Sequence, residues 1–164
     1  MRKAVLFPLA VLVAVALTGC GSGGGGNTRT STNFAVREAI TDALAADRSL
    51  DQEARGVIAS MKSGALPVQQ GLDTLVGQTS KVLDLISQVT SQRKPGNPTL
   101  TAAQASMEDY LRQREFQLES TIQAKSGAEA EAAYANNQQA VDAARQKVRL
   151  LLVKYDPGLE KSLP

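Results

Sequence analysis

From Asn33 onward, apolar side chains recur every three or four residues. This spacing places them on one face of an α-helix, whereas the side chains of a strand alternate with a period of two. The pattern is interrupted by short stretches rich in glycine, proline and serine, residue types that end helices. It therefore predicts four helices, which span about residues 33–62, 66–92, 101–125 and 128–155.

The second predicted helix has the most regular pattern. Its inward positions are separated alternately by four and three residues: Val68, Leu72, Leu75, Thr79, Val82, Ile86 and Val89. A period of about 3.5 residues is typical of helices that pack as bundles or coiled coils. All four segments have similar lengths and short connections, which favours antiparallel neighbours. We therefore predict an all-α fold, an antiparallel up-down four-helix bundle over residues 33–164. A three-helix arrangement, with the last two segments fused through Gly127, is the alternative.

Polar side chains interrupt three of the apolar stripes: Asp47 in the first, Arg114 in the third and Asn137 in the fourth. Asp47 and Arg114 would pair if both faced the inside of the bundle, although a small rotation of either helix would expose it to water. For Asn137, the commoner explanation is a buried amide that fixes the relative positions of helices. The alternative is a cavity near Asn137 that binds a small molecule.

Short capping patterns mark three possible helix starts. Ser49 with Gln52 resembles a capping box and would kink or restart the first helix. Because the apolar stripe keeps its phase through this point, we favour one helix. Thr101 is predicted to cap the third helix, and Ser126 with Glu129 predicts the start of the fourth.

A different pattern precedes the helices. Arg2 and Lys3 lead into an apolar run that ends at Leu17, and small residues then precede Cys20, the only cysteine of the chain. The run is shorter than the roughly 20 residues that a membrane-spanning helix needs. A basic start, a short apolar core and small residues are typical of a secretory signal peptide.

The end of this segment, Leu17-Thr18-Gly19-Cys20, resembles the lipobox of bacterial lipoproteins. The resemblance implies cleavage between Gly19 and Cys20 by the type II signal peptidase. It also implies attachment of lipid, such as palmitate, to Cys20. Each buried CH₂ group contributes about 0.8 kcal/mol, so two or three acyl chains would hold the protein on a membrane. An ordinary signal peptide with an incidental cysteine is the alternative.

Residues 20–32 are rich in glycine, serine and threonine, a composition typical of flexible linkers. We therefore predict a signal peptide at 1–19, a lipidated cysteine and flexible linker at 20–32, and the helical domain at 33–164. Lipoproteins of the inner membrane in many diderm bacteria carry Asp at the position of Gly21. The resemblance thus implies the outer membrane in a diderm cell, or the outer leaflet of the plasma membrane in a monoderm cell.

Composition excludes several classes of chemistry. The chain has no histidine and a single cysteine, which excludes disulfides, imidazole metal sites and His-dependent nucleophiles. Without Arg2 and Lys3, the remaining 16 basic residues balance the 16 acidic ones, so no excess of positive charge is left to bind nucleic acid.

Carboxylates are the remaining candidates for metal binding or acid–base catalysis. They cluster on the third predicted helix, at Glu108, Asp109, Glu115 and Glu119. Di-metal bundles add a histidine to such carboxylates, and this chain has none, so we interpret the cluster as a solvated helix face. We expect no catalytic, cofactor or metal site.

The second predicted helix is poor in charge: between Leu66 and Gln92 only Asp73, Lys81 and Asp84 are charged. Helix faces that contact a partner are often depleted in charge, and ordinary variation among the surfaces of bundles is the commoner alternative. We therefore expect a non-enzymatic, lipid-anchored envelope lipoprotein that contacts a protein or the cell wall through this helix, around Gln78 and Ser80. The alternative function is a small-molecule sensor or carrier with a pocket near Asn137.

Overall fold

The computed structural model describes residues 27–163 and contains no strand within that range. The elements are α1 (Asn27–Ser63), α2 (Val68–Thr90), α3 (Pro98–Ile122), α4 (Gly127–Tyr155) and a 3₁₀ helix (Pro157–Lys161). The predicted signal peptide, including Gly19, and Cys20 lie outside the described residues. None of the helices within residues 27–163 has the length and apolar character required to cross a bilayer.

Contacts at both ends of the helices show that α1 runs antiparallel to α2 and to α4. At one end, the start of α1 meets the α2–α3 connection, where Gly96 N–H donates to Asn33 Oδ1 at 2.9 Å. Arg37 in α1 also lies 3.1 Å from Asp156, directly after α4. At the other end, Lys62 Nζ lies 2.6 Å from Glu131 Oε2, near the start of α4. The predicted up-down bundle is confirmed, and the three-helix alternative is wrong.

The core consists of the inward-facing stripes of the four helices. Its buried members include Ile40, Ala43, Leu75, Val82, Met107, Leu111, Val141 and Val148. In α1, Ile58 is buried, whereas its neighbour Val57 is only partly buried. The inward stripe of α1 does not keep strictly alternating steps of four and three residues, because a helix of 3.6 residues per turn drifts away from a 3.5-residue repeat.

The inward face of α2 differs from the prediction in the first half of the helix. Gly71 and Gln78 are buried, whereas Leu72 and Thr79 are only partly buried. Gly71 faces Met61 of α1 so closely that a Cβ atom at position 71 would lie 2.2 Å from the Met61 sulfur. The missing side chain therefore lets Met61 pack here, and only the first half of the inward face shifts, since Leu75, Val82, Ile86 and Val89 are buried as predicted.

The first helix begins earlier than predicted and is continuous through Ser49. Its start at Asn27 makes residues 27–32 helical, although they were predicted as flexible linker. Lengthening an existing helix fixes only one residue per added hydrogen bond, which makes such an extension inexpensive once the helix is packed. The stretch that precedes Asn27 contains five glycines, the residue type that disfavours helix most strongly after proline.

The start of α3 also differs from the prediction, because Asn97 is the cap. Asn97 Oδ1 accepts the backbone N–H of Thr99 at 2.9 Å and that of Leu100 at 3.2 Å. Pro98 occupies the first helical position, where no N–H is needed. The predicted cap at Thr101 is therefore wrong, since Thr101 lies inside the helix.

The start of α4 agrees with its capping pattern. Ser126 Oγ accepts the N–H of Glu129 at 3.2 Å, and the Glu129 carboxylate accepts the N–H of Lys125 at 2.8 Å. Gly64, which follows α1, has a φ of +78°, a conformation that glycine adopts without strain.

Candidate functional site

The core of the bundle contains a buried ion pair between α1 and α3. Arg114 Nε lies 3.1 Å from Asp47 Oδ1, and Arg114 Nη2 lies 3.1 Å from Asp47 Oδ2. These two parallel bonds form the bidentate geometry that makes arginine–carboxylate pairs strong. The side chains of Arg114 and Asp47 are 2% and 1% exposed. The structure therefore confirms that these two residues pair inside the bundle.

A second carboxylate, one turn further along α1, continues the contact. Asp51 Oδ1 lies 2.8 Å from Arg114 Nη1, and Tyr134 of α4 donates its hydroxyl hydrogen to the same oxygen at 2.6 Å. Arg55, another turn along, donates to Asp51 Oδ2 at 2.9 Å. The spacing of four residues places Asp47, Asp51 and Arg55 on one face of α1.

Tyr110 and Gln117 complete the polar contacts. The Tyr110 hydroxyl donates to the Asp47 carboxylate. Gln117 accepts from Arg114 and donates its amide hydrogens to the Tyr134 carbonyl at 2.7 Å and to Gln138 Oε1 at 3.1 Å. We call Asp47, Asp51, Arg55, Tyr110, Arg114, Gln117, Tyr134 and Gln138 the polar network. Its members come from α1, α3 and α4.

The polar network balances two carboxylates against two guanidinium groups. Burial acts to lower the pKa of Arg114, but the charge of Asp47 and the neighbouring hydroxyl groups raise it above its usual value. For Asp51, burial acts to raise the pKa, but hydrogen bonds from Arg55 and Tyr134 and the charges of Arg114 and Arg55 hold it below its usual range. The charged forms of both residues are therefore favoured in the folded protein.

The two tyrosines stay protonated. Burial raises the pKa of Tyr110 and of Tyr134, and the carboxylates of Asp47 and Asp51 add to the effect. Each tyrosine therefore keeps its hydrogen as a donor to a carboxylate. Since the carboxylates accept hydrogen bonds from fixed donors, the arrangement fits a structural role in which the network holds α1, α3 and α4 in register.

The acidic cluster predicted on the third helix lies on the surface of α3. Arg112 lies 3.1 Å from Glu115 and 4.0 Å from Glu108, while Asp109 and Glu119 are exposed. This agrees with the interpretation as a solvated face. Within residues 27–163, no group of three or more Cys, Asp or Glu side chains is arranged to hold a metal ion.

Asn137 lies half-buried between α3 and α4. Its Nδ2 donates to Ser120 Oγ and to the Ala133 carbonyl, both at 3.0 Å. The bond to Ser120 links α4 to α3, which fits an amide that fixes their relative positions, whereas the bond to Ala133 stays within α4.

Gln78 does not lie on an exposed face of α2. Its side chain is 2% exposed and its Nε2 lies 3.5 Å from Glu53 Oε2, whereas Ser80 is exposed. The prediction that both residues belong to one contact surface is wrong for Gln78, because Gln78 occupies the inward position that was predicted for Thr79.

Sequence reasoning identified the pair of Asp47 and Arg114 but missed the contacts that Asp51, Arg55, Gln117 and Gln138 make around it. A signal was present for Asp51 and Arg55, which follow Asp47 at intervals of four residues. Gln117 also follows Arg114 by three residues, on the same side of α3. Comparison with protein-family models, with curated proteins and with solved structures finds no match.

Proposed function

We propose that this protein is a bacterial lipoprotein. In this proposal, lipid on Cys20 tethers the bundle to an envelope membrane, and the bundle acts without enzymatic activity as an interaction or structural module. The observation that carries the proposal is the sequence Leu17-Thr18-Gly19-Cys20 behind a basic start and a short apolar run. In lipoproteins with this motif, the cysteine becomes the first residue of the mature chain and carries acyl chains.

The tether sets where the bundle works. Gly21 in place of Asp favours the outer membrane in a diderm cell, and the outer leaflet of the plasma membrane in a monoderm cell. The glycine-rich stretch between Cys20 and α1 is short, so the start of α1 would be the part of the bundle nearest the membrane. The partner would then meet the sides or the far end of the bundle.

The outward face of α2 is the surface we assign to that partner. Val76 and Leu83 are 48% and 43% exposed, and Ser80 lies between them on the same side of the helix. Positions separated by four and three residues share a helix face. Depletion of charge combined with exposed apolar side chains is typical of the centre of a protein interface, so we propose a protein partner.

The anchor is tested by substitution of Cys20→Ser, with Ser22→Ala as the matched control. In cells fed a labelled palmitate analogue, we expect the wild type and Ser22→Ala to carry label and to enter the detergent phase. We expect Cys20→Ser to carry none and to remain uncut before residue 20, because the acceptor thiol is gone. Labelling and cleavage of Cys20→Ser at this site would contradict the proposal.

The contact face is tested by Val76→Glu with Ser80→Glu, which places two charges on the outward side of α2. Recovery of the crosslinked partner from intact cells should fall by about tenfold or more, because charges at an interface core must be desolvated. Ala132→Glu with Asn136→Glu adds the same charge at exposed positions of α4 and should leave recovery unchanged. Equal recovery with both pairs would exclude the α2 face. Thermal midpoints should stay close to wild type in both.

A further inference from the structure

One end of the bundle lies close to Cys20 along the chain. The first helix begins at Asn27, so only residues 21–26 separate it from the cysteine. A fully extended chain covers at most about 3.6 Å per residue, so the distance from Cys20 to Asn27 is at most about 25 Å. The α2–α3 connection lies at the same end, since Gly96 bonds to Asn33. We call the following residues the anchor end: 30–38 of α1, 91–97 of the α2–α3 connection, and 152–156 at the end of α4.

The anchor end has an excess of positive charge. Its charged residues are Arg37, Glu38, Arg93, Lys94, Lys154 and Asp156, a net charge of +2. Arg93 and Lys94 are exposed and belong to none of the ion pairs within residues 27–163. Glu108 of α3 shares a shallow groove with Lys94, but its carboxylate lies 4.0 Å from Arg112, whose charge offsets it. Two cations in the connection are therefore available to an anionic surface.

The opposite end of the bundle has the opposite sign. It comprises residues 60–70 and 119–131, in which Lys62 pairs with Glu131 at 2.6 Å. The charged residues left there are Lys125, Glu119 and Glu129, all of them exposed. An anionic surface would therefore attract the anchor end and repel the far end.

An aromatic ring at the anchor end adds a second observation. Phe34 is 50% exposed, and the guanidinium carbon of Arg37 lies 4.8 Å from the centre of its ring. In an α-helix the Cα–Cβ bond is tilted toward the N-terminus, so Phe34 leans toward the tether. Exposed apolar rings next to basic side chains are typical of segments that bind at a membrane surface. The ring, the excess charge and the tether thus lie at one end.

We propose that the anchor end docks on a membrane surface that contains anionic phospholipid and so holds the bundle upright. The inference rests on the proposed lipoprotein function, because a tether raises the effective concentration of the surface and makes a weak contact sufficient. Arg93 and Lys94 supply cations for the lipid phosphates. The upright orientation leaves the outward face of α2 accessible from the side.

The first turns of α1 fit this docking. From Asn33 back to Asn27 the helix extends by about 9 Å at 1.5 Å per residue. The headgroup layer on each side of a bilayer is about 5–8 Å thick, so the extension is long enough to reach through it. Residues 27–32 are Asn, Thr, Arg and Ser, polar types that suit headgroups and not hydrocarbon.

The test uses residues 20–164, which contain every described helix, coupled through Cys20 to a maleimide-bearing lipid in vesicles. Cys20 is the only cysteine of the chain, so coupling occurs at one site and does not depend on acylation by cells. The chain has no tryptophan, so Phe34→Trp places a single fluorescent reporter at the anchor end. Phe116→Trp is the matched control, since Phe116 is 57% exposed and lies about 27 Å along α3 from its start.

A nitroxide on the lipid headgroup quenches tryptophan that approaches the surface. In vesicles with phosphatidylglycerol, we expect quenching to be several-fold stronger for Phe34→Trp than for Phe116→Trp. In vesicles of phosphatidylcholine alone, quenching of the Phe34→Trp reporter should weaken, because the phosphatidylglycerol charge that attracts the anchor end is missing. Both reporter variants should keep thermal midpoints close to wild type, since both side chains are half-exposed.

The charge requirement is tested in the Phe34→Trp protein by Arg93→Gln with Lys94→Gln. The ratio of docked to undocked protein should fall by about tenfold or more, because each basic residue near an anionic surface contributes a factor of about five. The matched control is Lys125→Gln with Lys147→Gln, which removes the same charge at exposed positions away from the anchor end. It should leave the ratio within about twofold, since distant surface charges are screened by salt.

Three results would overturn the docking proposal. Equal quenching of the two reporters would show that the bundle lies on its side or has no preferred orientation. Quenching of Phe34→Trp that is the same with and without phosphatidylglycerol would exclude recognition of anionic lipid. Equal effects of the two charge pairs would show a general effect of charge. If cells do not acylate Cys20 but the coupled protein docks, the lipoprotein proposal fails and the docking surface stands.

Discussion

Among single residues, Arg114 makes the most polar contacts in the core, since its guanidinium meets Asp47, Asp51, Gln117 and Tyr134. Moving charges out of water is expensive, and a buried ion pair often adds little net stability compared with apolar side chains of the same volume. Removal of one partner is far more costly, because the other charge stays buried. The network therefore adds little net stability. Its main effect is to exclude arrangements of α1 and α3 in which one of the charges would be buried alone.

Arg114→Met tests this asymmetry. The variant leaves Asp47 buried without its cation, so we expect a loss of about 3–5 kcal/mol in the free energy of unfolding. Arg112→Met removes an arginine two residues earlier that is exposed on α3 and pairs with Glu115, and it should cost about 1 kcal/mol or less. Urea denaturation followed by circular dichroism measures both values. If the two variants lost similar free energies of unfolding, the burial of the Arg114–Asp47 pair would contribute nothing beyond an exposed pair.

The sequence predicted which polar residues lie in the core only where they broke an apolar stripe. Asp47 and Arg114 occupy stripe positions, so both were found. Asp51 lies where a rotation of roughly 50° about the helix axis decides between core and water. That rotation is set by the side chains of the neighbouring helices. The pattern of one helix holds no information about them.

Among the helices, the contact between α1 and α4 is set by a glycine at the start of α4. A Cβ atom at Gly127 would lie 2.4 Å from Lys62 N and 2.5 Å from Met61 C. Backbone atoms cannot move aside as a flexible side chain can. The fourth helix was predicted to start at about residue 128, but Gly127 is its first residue and is the point of close approach to α1.

Gly127→Ala should therefore destabilise the protein by about 1–3 kcal/mol, the usual cost of overpacking. Gly56→Ala is the matched control, because a Cβ at Gly56 in α1 meets nothing within 4 Å. In a helix interior, alanine is favoured over glycine, so Gly56→Ala should raise stability by about 0.5–1 kcal/mol. Thermal denaturation of both variants checks the opposite signs. If Gly127→Ala raised the stability, the end of α1 and the start of α4 would be able to move apart without cost.

The architecture was predictable because four long amphipathic segments with short connections have few ways to bury their apolar faces. The helix ends were less predictable, although α3 carried a readable signal. Asn is among the most favoured residues at the N-cap, and Pro is favoured at the first helical position. Asn97 and Pro98 therefore start α3, and Thr101 falls inside it. Asn33, where the first helix was predicted to begin, bonds to the α2–α3 connection. An already fixed helix is extended at little cost, and local sequence does not reveal that contact.

In the whole molecule, the polar network joins α1, α3 and α4, whereas α2 is held mainly by apolar contacts. The buried Gln78 Oε1 of α2 has no hydrogen-bond partner among the described residues. Regions with few specific contacts open at lower free energy than the rest of a domain. We therefore expect α2, which carries the proposed contact face, to show the fastest amide hydrogen exchange of the four helices in its middle turns.

Stability of the whole bundle should depend on pH through Asp51. Its pKa is lowered in the folded protein from the ordinary value of 3.8, since Arg55, Tyr134 and Arg114 together outweigh the effect of burial. As the pH falls below this value, the unfolded chain takes up the proton first, and protonation therefore favours unfolding. The stabilisation by the Asp51 charge is present in full above the ordinary pKa and is lost as the pH falls through the lower folded pKa.

Asp51→Asn removes this dependence. At about pH 6 the wild type should be more stable than Asp51→Asn by about 1–3 kcal/mol, the range for hydrogen bonds to a charged group. The difference should shrink steadily as the pH is lowered below about 3.8. Asp73→Asn, an exposed position on α2, should differ little from wild type at any pH. Urea denaturation at a series of pH values measures the three proteins side by side. A difference between wild type and Asp51→Asn that stays constant down to about pH 3 would show that the shape of the side chain, and not its charge, supports the network.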